Sequence, residues 1–154
     1  MKKNIIIVLI AGLFVCFTAI GFAAIGFAAV PQHTKPSDYK IGVSYSEAVK
    51  GNKPIIALFY VDWCGYCMKF MPKYKIINDL YKYNYSVVML NAEDVANKNL
   101  VADVSLTGFP TVYILDPKYD NRILLNNAIY GDLKKFRVEL DRYIRIRKIL
   151  DSAK

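Results

Sequence analysis

The longest apolar stretch of the chain lies at its start. Residues 5–30 contain Thr18 as their one clearly polar side chain, and the positively charged Lys2 and Lys3 precede them. A helix of this length would extend about 39 Å at roughly 1.5 Å per residue, more than the ~30 Å apolar core of a bilayer. The pattern predicts a signal peptide or a signal-anchor helix over residues 1–30, and both alternatives remain open.

The orientation of this segment determines where the rest of the chain is delivered. Because a positively charged N-terminal flank stays in the cytoplasm, the remainder is expected across the cytoplasmic membrane, in the periplasm or another extracytoplasmic space. If the segment is not cleaved, residues 5–30 anchor the protein to the membrane. Residues 31–38 contain two prolines among polar side chains, which predicts a tether before a domain over residues 39–154.

After the tether, short apolar runs alternate with amphipathic stretches. The apolar runs predict four strands, over residues 55–61, 86–91, 111–115 and 122–125. The amphipathic stretches predict helices over 46–50 and 64–82, a helical or irregular crossover over 93–104, and a C-terminal helix capped by Asp132. This order predicts an α/β fold, with a central mixed β-sheet, a parallel first pair of strands and helices on both faces.

Composition and charge narrow the classes of function. A chain of 154 residues that is 55% hydrophobic is long enough for one packed domain and is not a disordered protein. The formal net charge of +8 includes Lys2 and Lys3, which leaves +6 for the exported part. Much of this charge lies in the last helix, which also carries an apolar stripe, so a solvated helix face explains it better than a nucleic-acid site. The basic residues are Lys134, Lys135, Arg137, Arg142, Arg145, Arg147 and Lys148, and the stripe is Leu133, Phe136, Leu140, Tyr143 and Ile144.

The exported part contains two cysteines, Cys64 and Cys67, at the predicted junction between a buried strand and a helix. At a helix N-terminus, unpaired backbone N–H groups and the helix dipole favour negative charge, so Cys64 is biased toward the nucleophilic thiolate. We expect Cys64 at the exposed end of the helix, and Cys67 one turn inside and shielded. The pair therefore indicates a dithiol–disulfide redox centre.

Three other interpretations of the cysteine pair are weaker. A structural disulfide that closes so short a loop would constrain the unfolded chain little. A zinc site needs four ligands, whereas the exported part offers two cysteines and His33. Two buried free cysteines at this spacing, directly after Trp63, would be coincidental. We therefore expect neither a metal site nor a cofactor.

The segment Trp63-Cys64-Gly65-Tyr66-Cys67 resembles the active site of the thioredoxin superfamily. Pro72 falls where thioredoxins kink the active-site helix, and the segment Gly108-Phe109-Pro110-Thr111 resembles their cis-proline loop. The resemblance extends over residues 39–150 and implies a thioredoxin fold. In its size and its N-terminal segment, the chain is similar to small membrane-tethered or periplasmic thioredoxin-like proteins.

The resemblance also assigns roles to the residues of the site. It implies that Cys64 and Cys67 are catalytic and that Pro110 is cis and faces them. It further implies that the backbone of Phe109 pairs with an extended substrate chain, and that Trp63 shapes the surface that a partner approaches. The active-site loop and substrate-binding residues implied in this way are Trp63, Gly65, Tyr66, Phe109, Pro110 and Thr111.

One position departs from the family pattern. Family members commonly place a buried acid six residues before the first cysteine, where it helps to move the proton of the second, and this chain has Leu58 there. Proton transfer at Cys67 would then rely on water or another group. Asp62 is closer in sequence, but we expect it on the solvent-facing side of the strand.

The redox direction follows from the residues between the cysteines. Gly65 and Tyr66 carry no charge, so the loop supplies no cation to hold a thiolate, which argues against a strong oxidant. The short connection over residues 91–110 leaves no room for the helical insertion of the periplasmic disulfide oxidases. The leading hypothesis is a reductant of exported proteins. The alternatives are a disulfide oxidase or isomerase, and a non-catalytic binding or metallochaperone domain.

The hypothesis also specifies partners. We expect exported proteins with cysteine thiols or disulfides as substrates, and a membrane or exported protein as the electron donor. No nucleic-acid partner is expected, and the protein is expected to be a monomer.

We predict that the domain is exported, because of the charged and apolar pattern of residues 1–30. Protease added outside the cytoplasmic membrane of intact cells should digest the domain, while a cytoplasmic marker protein survives. Full-length protein found soluble in the cytoplasm would contradict the prediction.

Overall fold

A four-stranded sheet lies at the centre of the fold, which a computed structural model describes over residues 33–153. The strands are β1 (Ile55–Tyr60), β2 (Ser86–Asn91), β3 (Thr111–Asp116) and β4 (Asn121–Leu125). They are ordered β2-β1-β3-β4, with β1 parallel to β2 and antiparallel to β3, and β3 antiparallel to β4. The predicted mixed sheet with a parallel first pair is confirmed.

The predicted signal or anchor segment, residues 1–30, lies outside the described residues. Within residues 33–153, no helix is long and apolar enough to cross a membrane. The predicted tether, residues 31–38, overlaps a short 3-10 helix, Pro36–Tyr39, whose Pro36 is buried.

The α-helices are α1 (Tyr45–Ala48), α2 (Gly65–Tyr81), α3 (Lys98–Asp103), α4 (Asn127–Tyr130) and α5 (Leu133–Ser152). Two of them differ from the sequence prediction. The expected crossover over residues 93–104 is divided into a 3-10 turn, Val95–Asn97, and the short helix α3. Helix α4 was not predicted, and Asn126 caps it by accepting a hydrogen bond from the N–H of Ala128 at 2.8 Å.

Strand β1 separates two apolar cores, because alternate side chains of a strand point to opposite faces of the sheet. Ile56, Leu58 and Tyr60 belong to the larger core, which contains residues of α2 and α5. Ile55, Ala57 and Phe59 belong to the smaller one, which contains Ala48 of α1 and is flanked by Leu100 and Val101 of α3. All six residues of β1 are buried, and helices cover both faces of the sheet, as predicted.

Helix α2 is attached to the sheet by a buried tyrosine. The Tyr74 hydroxyl lies 2.8 Å from the carbonyl oxygens of Ile56 and Val88, so it donates a hydrogen bond to either strand of the parallel pair. Burial strongly raises the pKa of Tyr74, so the hydroxyl remains a donor throughout the ordinary pH range. This contact fixes the axial position of the helix that begins at the cysteine pair.

Helix α5 is fixed at both ends. Its N-cap is Asp132, as predicted, which accepts hydrogen bonds from the N–H groups of Lys134 and Lys135 at 2.8 and 3.1 Å. Near its C-terminus the buried Arg147 binds Asp116 at 2.6 Å and donates to the Asn52 carbonyl at 2.8 Å. The guanidinium therefore joins the end of β3 to the loop before β1.

The Asp62 side chain is 30% exposed, so it faces solvent only in part. Its carboxylate accepts hydrogen bonds from the N–H and the hydroxyl of Ser37, at 3.0 and 2.9 Å, and lies 3.8 Å from the ammonium group of Lys35. The 3-10 helix Pro36–Tyr39 supplies these donors. Because alternation along β1 says nothing about a distant segment, the pattern that placed Asp62 toward solvent missed this contact.

Leu58 is fully buried and pairs with Met89 of β2 and Val112 of β3. We predict that Leu58→Asp lowers the free energy of unfolding by more than about 3 kcal/mol at neutral pH. Burial raises the pKa of the new carboxyl, so the loss should grow as the pH rises above about 4, where the unfolded chain ionises. Denaturant unfolding at several pH values measures this.

The matched control is Leu124→Asp on β4, where the side chain is 54% exposed. Its free energy of unfolding should change by less than about 1 kcal/mol. Equal losses in the two variants would show that Leu58 does not lie in a closed core.

Candidate functional site

The cysteine pair lies at the connection between the end of β1 and the start of α2. Strand β1 ends at Tyr60, and a turn closed by the hydrogen bond from the N–H of Cys64 to the carbonyl of Val61, at 3.2 Å, directs the chain into the helix. Cys64 is the N-cap of α2, and a disulfide joins it to Cys67, with 5.2 Å between their Cα atoms. The predicted strand-to-helix placement of the pair is confirmed.

The backbone of α2 stabilises negative charge on the first sulfur. The N–H of Cys67 points at the Cys64 sulfur, with 3.1 Å between nitrogen and sulfur. A free backbone N–H at a helix N-terminus, together with the helix dipole, favours the thiolate form of such a sulfur. The geometry therefore favours negative charge on the Cys64 sulfur once the disulfide is reduced.

The two cysteines differ in exposure, although less than expected. Cys64 is 7% exposed and Cys67 is fully buried. The expectation of an exposed Cys64 needs correction, because it lies at the bottom of a cleft of about 490 Å³ lined by Trp63, Tyr66 and Phe109. Cys64 thus lines a surface cleft, whereas Cys67 belongs to the larger core.

The loop opposite the cysteines has the conformation that the resemblance implies. The Phe109-Pro110 peptide bond is cis, and the Phe109 carbonyl oxygen lies 3.6 Å from the Cys64 sulfur. The Tyr130 hydroxyl donates to the Pro110 carbonyl at 2.7 Å, and the Thr111 hydroxyl donates to the Gly108 carbonyl at the same distance. Both hydrogen bonds hold the loop against the cysteine pair.

Two residues hold this loop in place. Thr111 is buried, and its hydroxyl is hydrogen-bonded within the loop, although the residue also lines the wall of a groove beside Pro110. Tyr130, which sequence reasoning missed, positions Pro110 from helix α4. A local signal existed in Asn126, which is a favourable N-cap residue, but it did not indicate which loop the helix would contact.

Trp63 forms the exposed wall of the cleft. Its side chain is 73% exposed, and its indole N–H donates to the Glu93 carboxylate at 2.8 Å. The indole also meets the Phe109 ring edge-on, with 6.5 Å between centroids. Glu93, thirty residues away in sequence, was not predicted as part of the site, and it fixes the orientation of the indole.

Gly65 and Tyr66 form the first turn of α2 on the rim of the cleft. Gly65 is exposed and has open space where a side chain would begin, and Tyr66 is 75% exposed. The structure thus brings the predicted site residues together around two adjoining clefts, with Cys67 buried beneath Cys64 and Thr111 largely buried beside Pro110. Within residues 33–153, no group of three or more His, Cys, Asp or Glu side chains could hold a metal ion.

Comparison with known proteins shows the family. The family model described as Thioredoxin matches residues 39–135. The chain therefore belongs to the thioredoxin family. Family membership and the Cys64–Cys67 disulfide together indicate a thiol–disulfide oxidoreductase in general terms.

Two relatives, one from a virus and one from an amoeba, are similar to part of this chain. A thioredoxin domain-containing protein of Acanthamoeba polyphaga mimivirus is 33% identical over 89 residues, which cover 54% of this chain and 26% of that protein. Protein disulfide-isomerase 1 of Dictyostelium discoideum is 35% identical over 63 residues, covering 40% of this chain and 17% of that protein. The chain thus spans only 26% and 17% of the length of these relatives.

Solved structures share the fold. The J-Trx1 fragment of ERdj5 has a TM-score of 0.56 at 14% identity, over 66% of this chain and 48% of that one. A chain of the complex of ferredoxin:thioredoxin reductase with thioredoxin f2 has a TM-score of 0.52 at 24% identity, over 71% of this chain and 99% of that one. At these identities the likeness concerns the fold alone.

The unequal burial of the two sulfurs generates a prediction. Cys67→Ala leaves the nucleophile but removes the thiol that resolves a mixed disulfide, so this variant should accumulate mixed disulfides with partner proteins. Cys64→Ala should trap far less, because Cys67 is fully buried. After acid quenching and alkylation, non-reducing gels with and without dithiothreitol measure the adducts.

Both variants should remain folded, since the disulfide closes too short a loop to contribute much stability. Circular dichroism checks this. More adducts on Cys64→Ala than on Cys67→Ala would reverse the assigned roles.

Proposed function

We propose that this protein is a thiol–disulfide reductant for exported proteins, held at or delivered across the cytoplasmic membrane. One observation carries the proposal: Cys64 lies at the base of an open cleft and accepts an N–H at a helix N-terminus, with the buried Cys67 bonded to it one turn later. Such a pair can exchange disulfides with a partner and then resolve the product internally. The apolar segment 5–30 after Lys2 and Lys3 supports export.

In the proposed cycle, the reduced Cys64 thiolate attacks one sulfur of a partner disulfide. A bond forms between Cys64 and that sulfur, the partner disulfide breaks, and the other partner sulfur leaves as a thiolate that takes up a proton from water. Cys67 then loses its proton and attacks the Cys64 sulfur. The Cys64–Cys67 disulfide forms, the second partner thiolate departs, and two electrons have passed to the partner.

The oxidised protein must then be reduced again. A dithiol of a membrane or exported donor protein would perform the same exchange in reverse, becoming a disulfide as Cys64 and Cys67 regain their protons. We propose that the cleft between Trp63 and Phe109 admits donor and substrate in turn. The loop carbonyl of Phe109, 3.6 Å from the Cys64 sulfur, lies beside the site where a partner chain would align.

The neutral residues between the cysteines support the reducing direction. A strong oxidant needs an unusually stable thiolate, whereas Gly65 and Tyr66 add no positive charge to the backbone N–H at Cys64. Leu58 and Cys67 belong to the same apolar core, and Leu58 stands at the sequence position where family members commonly have a carboxylate that assists proton transfer. Resolution of the mixed disulfide would then rely on water that enters with the partner.

A disulfide isomerase or oxidase is the second candidate. The similarity to Protein disulfide-isomerase 1 of Dictyostelium discoideum and to a protein disulfide-isomerase of Ricinus communis, 33% identical over 75 residues, favours it. This chain spans only 17% and 15% of those two proteins. The similarity therefore suggests their activity for the matched segment alone and does not concern the rest of either protein.

A redox potential decides between these candidates. Equilibration of the domain with glutathione buffers should give a value below about −230 mV, near the ~−270 mV of thioredoxin. A value above about −180 mV, the range of protein disulfide isomerase and stronger oxidants, would favour the second candidate. The domain should also accelerate insulin reduction by dithiothreitol, and Cys64→Ala should not. Failure of the parent to accelerate it would refute both enzymatic candidates.

A further inference from the structure

A second groove continues from the redox cleft along helix α2. It has a volume of about 880 Å³, and it shares Tyr66, Gly108 and Phe109 with the cleft above Cys64. Its apolar wall includes Phe70 of α2 and Tyr130 of α4, whose rings meet edge-on with 5.4 Å between centroids. A chain that reaches Cys64 past the Phe109-Pro110 loop can therefore extend into this groove.

The groove is positively charged. Lys69 and Lys73 line it together with polar and apolar residues, and no Asp or Glu is among the described residues that form its walls. Tyr66, Lys69 and Lys73 lie on one face of α2, because residues separated by three, four and seven positions share a helix face. The cationic side of the groove thus begins directly beside the cysteine pair.

The two lysines differ in the partners that their ammonium groups already have within the protein. Lys73 donates to the Gly131 carbonyl and is close enough to Asp132 to lower the pKa of that carboxyl, after the larger effect of the Lys135 N–H. Lys69 lies over the Tyr66 ring, with 5.7 Å from its nitrogen to the ring centroid, and is exposed. Lys69 is therefore the main cation available to a ligand.

We infer that this groove binds an extended segment of the redox partner that carries acidic side chains close to its reactive cysteine. The inference rests on the proposed function, and it specifies the substrate class. An anion held by Lys69 raises the rate of encounter and selects among partners, as charged groups beside a binding site do.

The helix geometry gives the spacing. Lys69 lies five positions after Cys64 and Lys73 nine, which correspond to about 7.5 and 13.5 Å along α2 at roughly 1.5 Å per residue. An extended partner chain advances about 3.3 Å per residue. Carboxylates about two and four residues from the reactive cysteine would therefore lie beside Lys69 and Lys73.

The test uses three synthetic peptides of equal length, each with one cysteine in a mixed disulfide with 2-mercaptoethanol. Positions two and four on both sides of the cysteine carry Glu, Gln or Lys. The second-order rate constant for reaction with the reduced full-length protein should be about threefold to tenfold higher for the Glu peptide than for the Gln peptide at low salt. The preference should largely disappear near 1 M salt, where the screening length is about 3 Å.

Variants assign the preference to the groove. Lys69→Gln should lower the Glu-to-Gln ratio, the double variant Lys69→Gln/Lys73→Gln should bring it near one, and Lys69→Glu should favour the Lys peptide. Because the ratio compares two peptides on one protein, any change in the reactivity of Cys64 itself cancels. The matched control is Lys75→Gln on the same helix, which should retain the parent ratio, since Lys75 pairs with Asp79 at 3.4 Å and does not line the groove.

The outcomes separate this inference from the proposed function. If the parent reacts with bis(2-hydroxyethyl) disulfide but shows no Glu preference, the inference is wrong and the proposed function stands. A preference that Lys75→Gln removes as fully as Lys69→Gln also overturns it. If the reduced parent fails to react with the neutral disulfide, the proposed function and the inference fall together.

Discussion

The burial of β1 on both faces is the constraint on which the site depends. The strand delivers Cys64 four residues after its last residue, Tyr60, and its register with β2 and β3 fixes where that delivery occurs. Tyr74 adds a direct hydrogen bond between the parallel strands and the helix that carries Cys67. Since a packed core lies on each face of β1, a change of register would exchange the side chains between the two cores and require both to repack.

The chemistry of the site arises mainly from the backbone. The N–H of Cys67 and the carbonyl of Phe109 both lie within contact distance of the Cys64 sulfur, while the side chains of the cleft supply its shape. Such a site resists change at any single surface residue. Specificity can then vary through the exposed residues of the rim, such as Tyr66 and Lys69, without disturbing the sulfurs.

Local patterns predicted the elements well, and they predicted contacts poorly. The apolar runs identified β1 and β2 with an error of one residue or none, since a buried strand needs continuous apolar side chains. The pairs Trp63–Glu93, Ser37–Asp62 and Tyr130–Pro110 could not be predicted. Each joins segments whose approach is decided by packing of the whole domain, and polar side chains at exposed or irregular positions leave no periodic signal.

Arg147 determines how far the chain can be shortened from its C-terminal side. It is 7% exposed and holds Asp116, which is 1% exposed, while Lys148 beyond it points to solvent. Removal of the guanidinium would leave the buried carboxylate with only the hydrogen bonds from the Tyr143 hydroxyl and the Lys118 N–H and without an opposite charge, a loss of up to about 3–5 kcal/mol. Expression tags or fusion partners are therefore best joined after Ser152, the last residue of α5, and a domain boundary drawn before Arg147 would divide the folding unit.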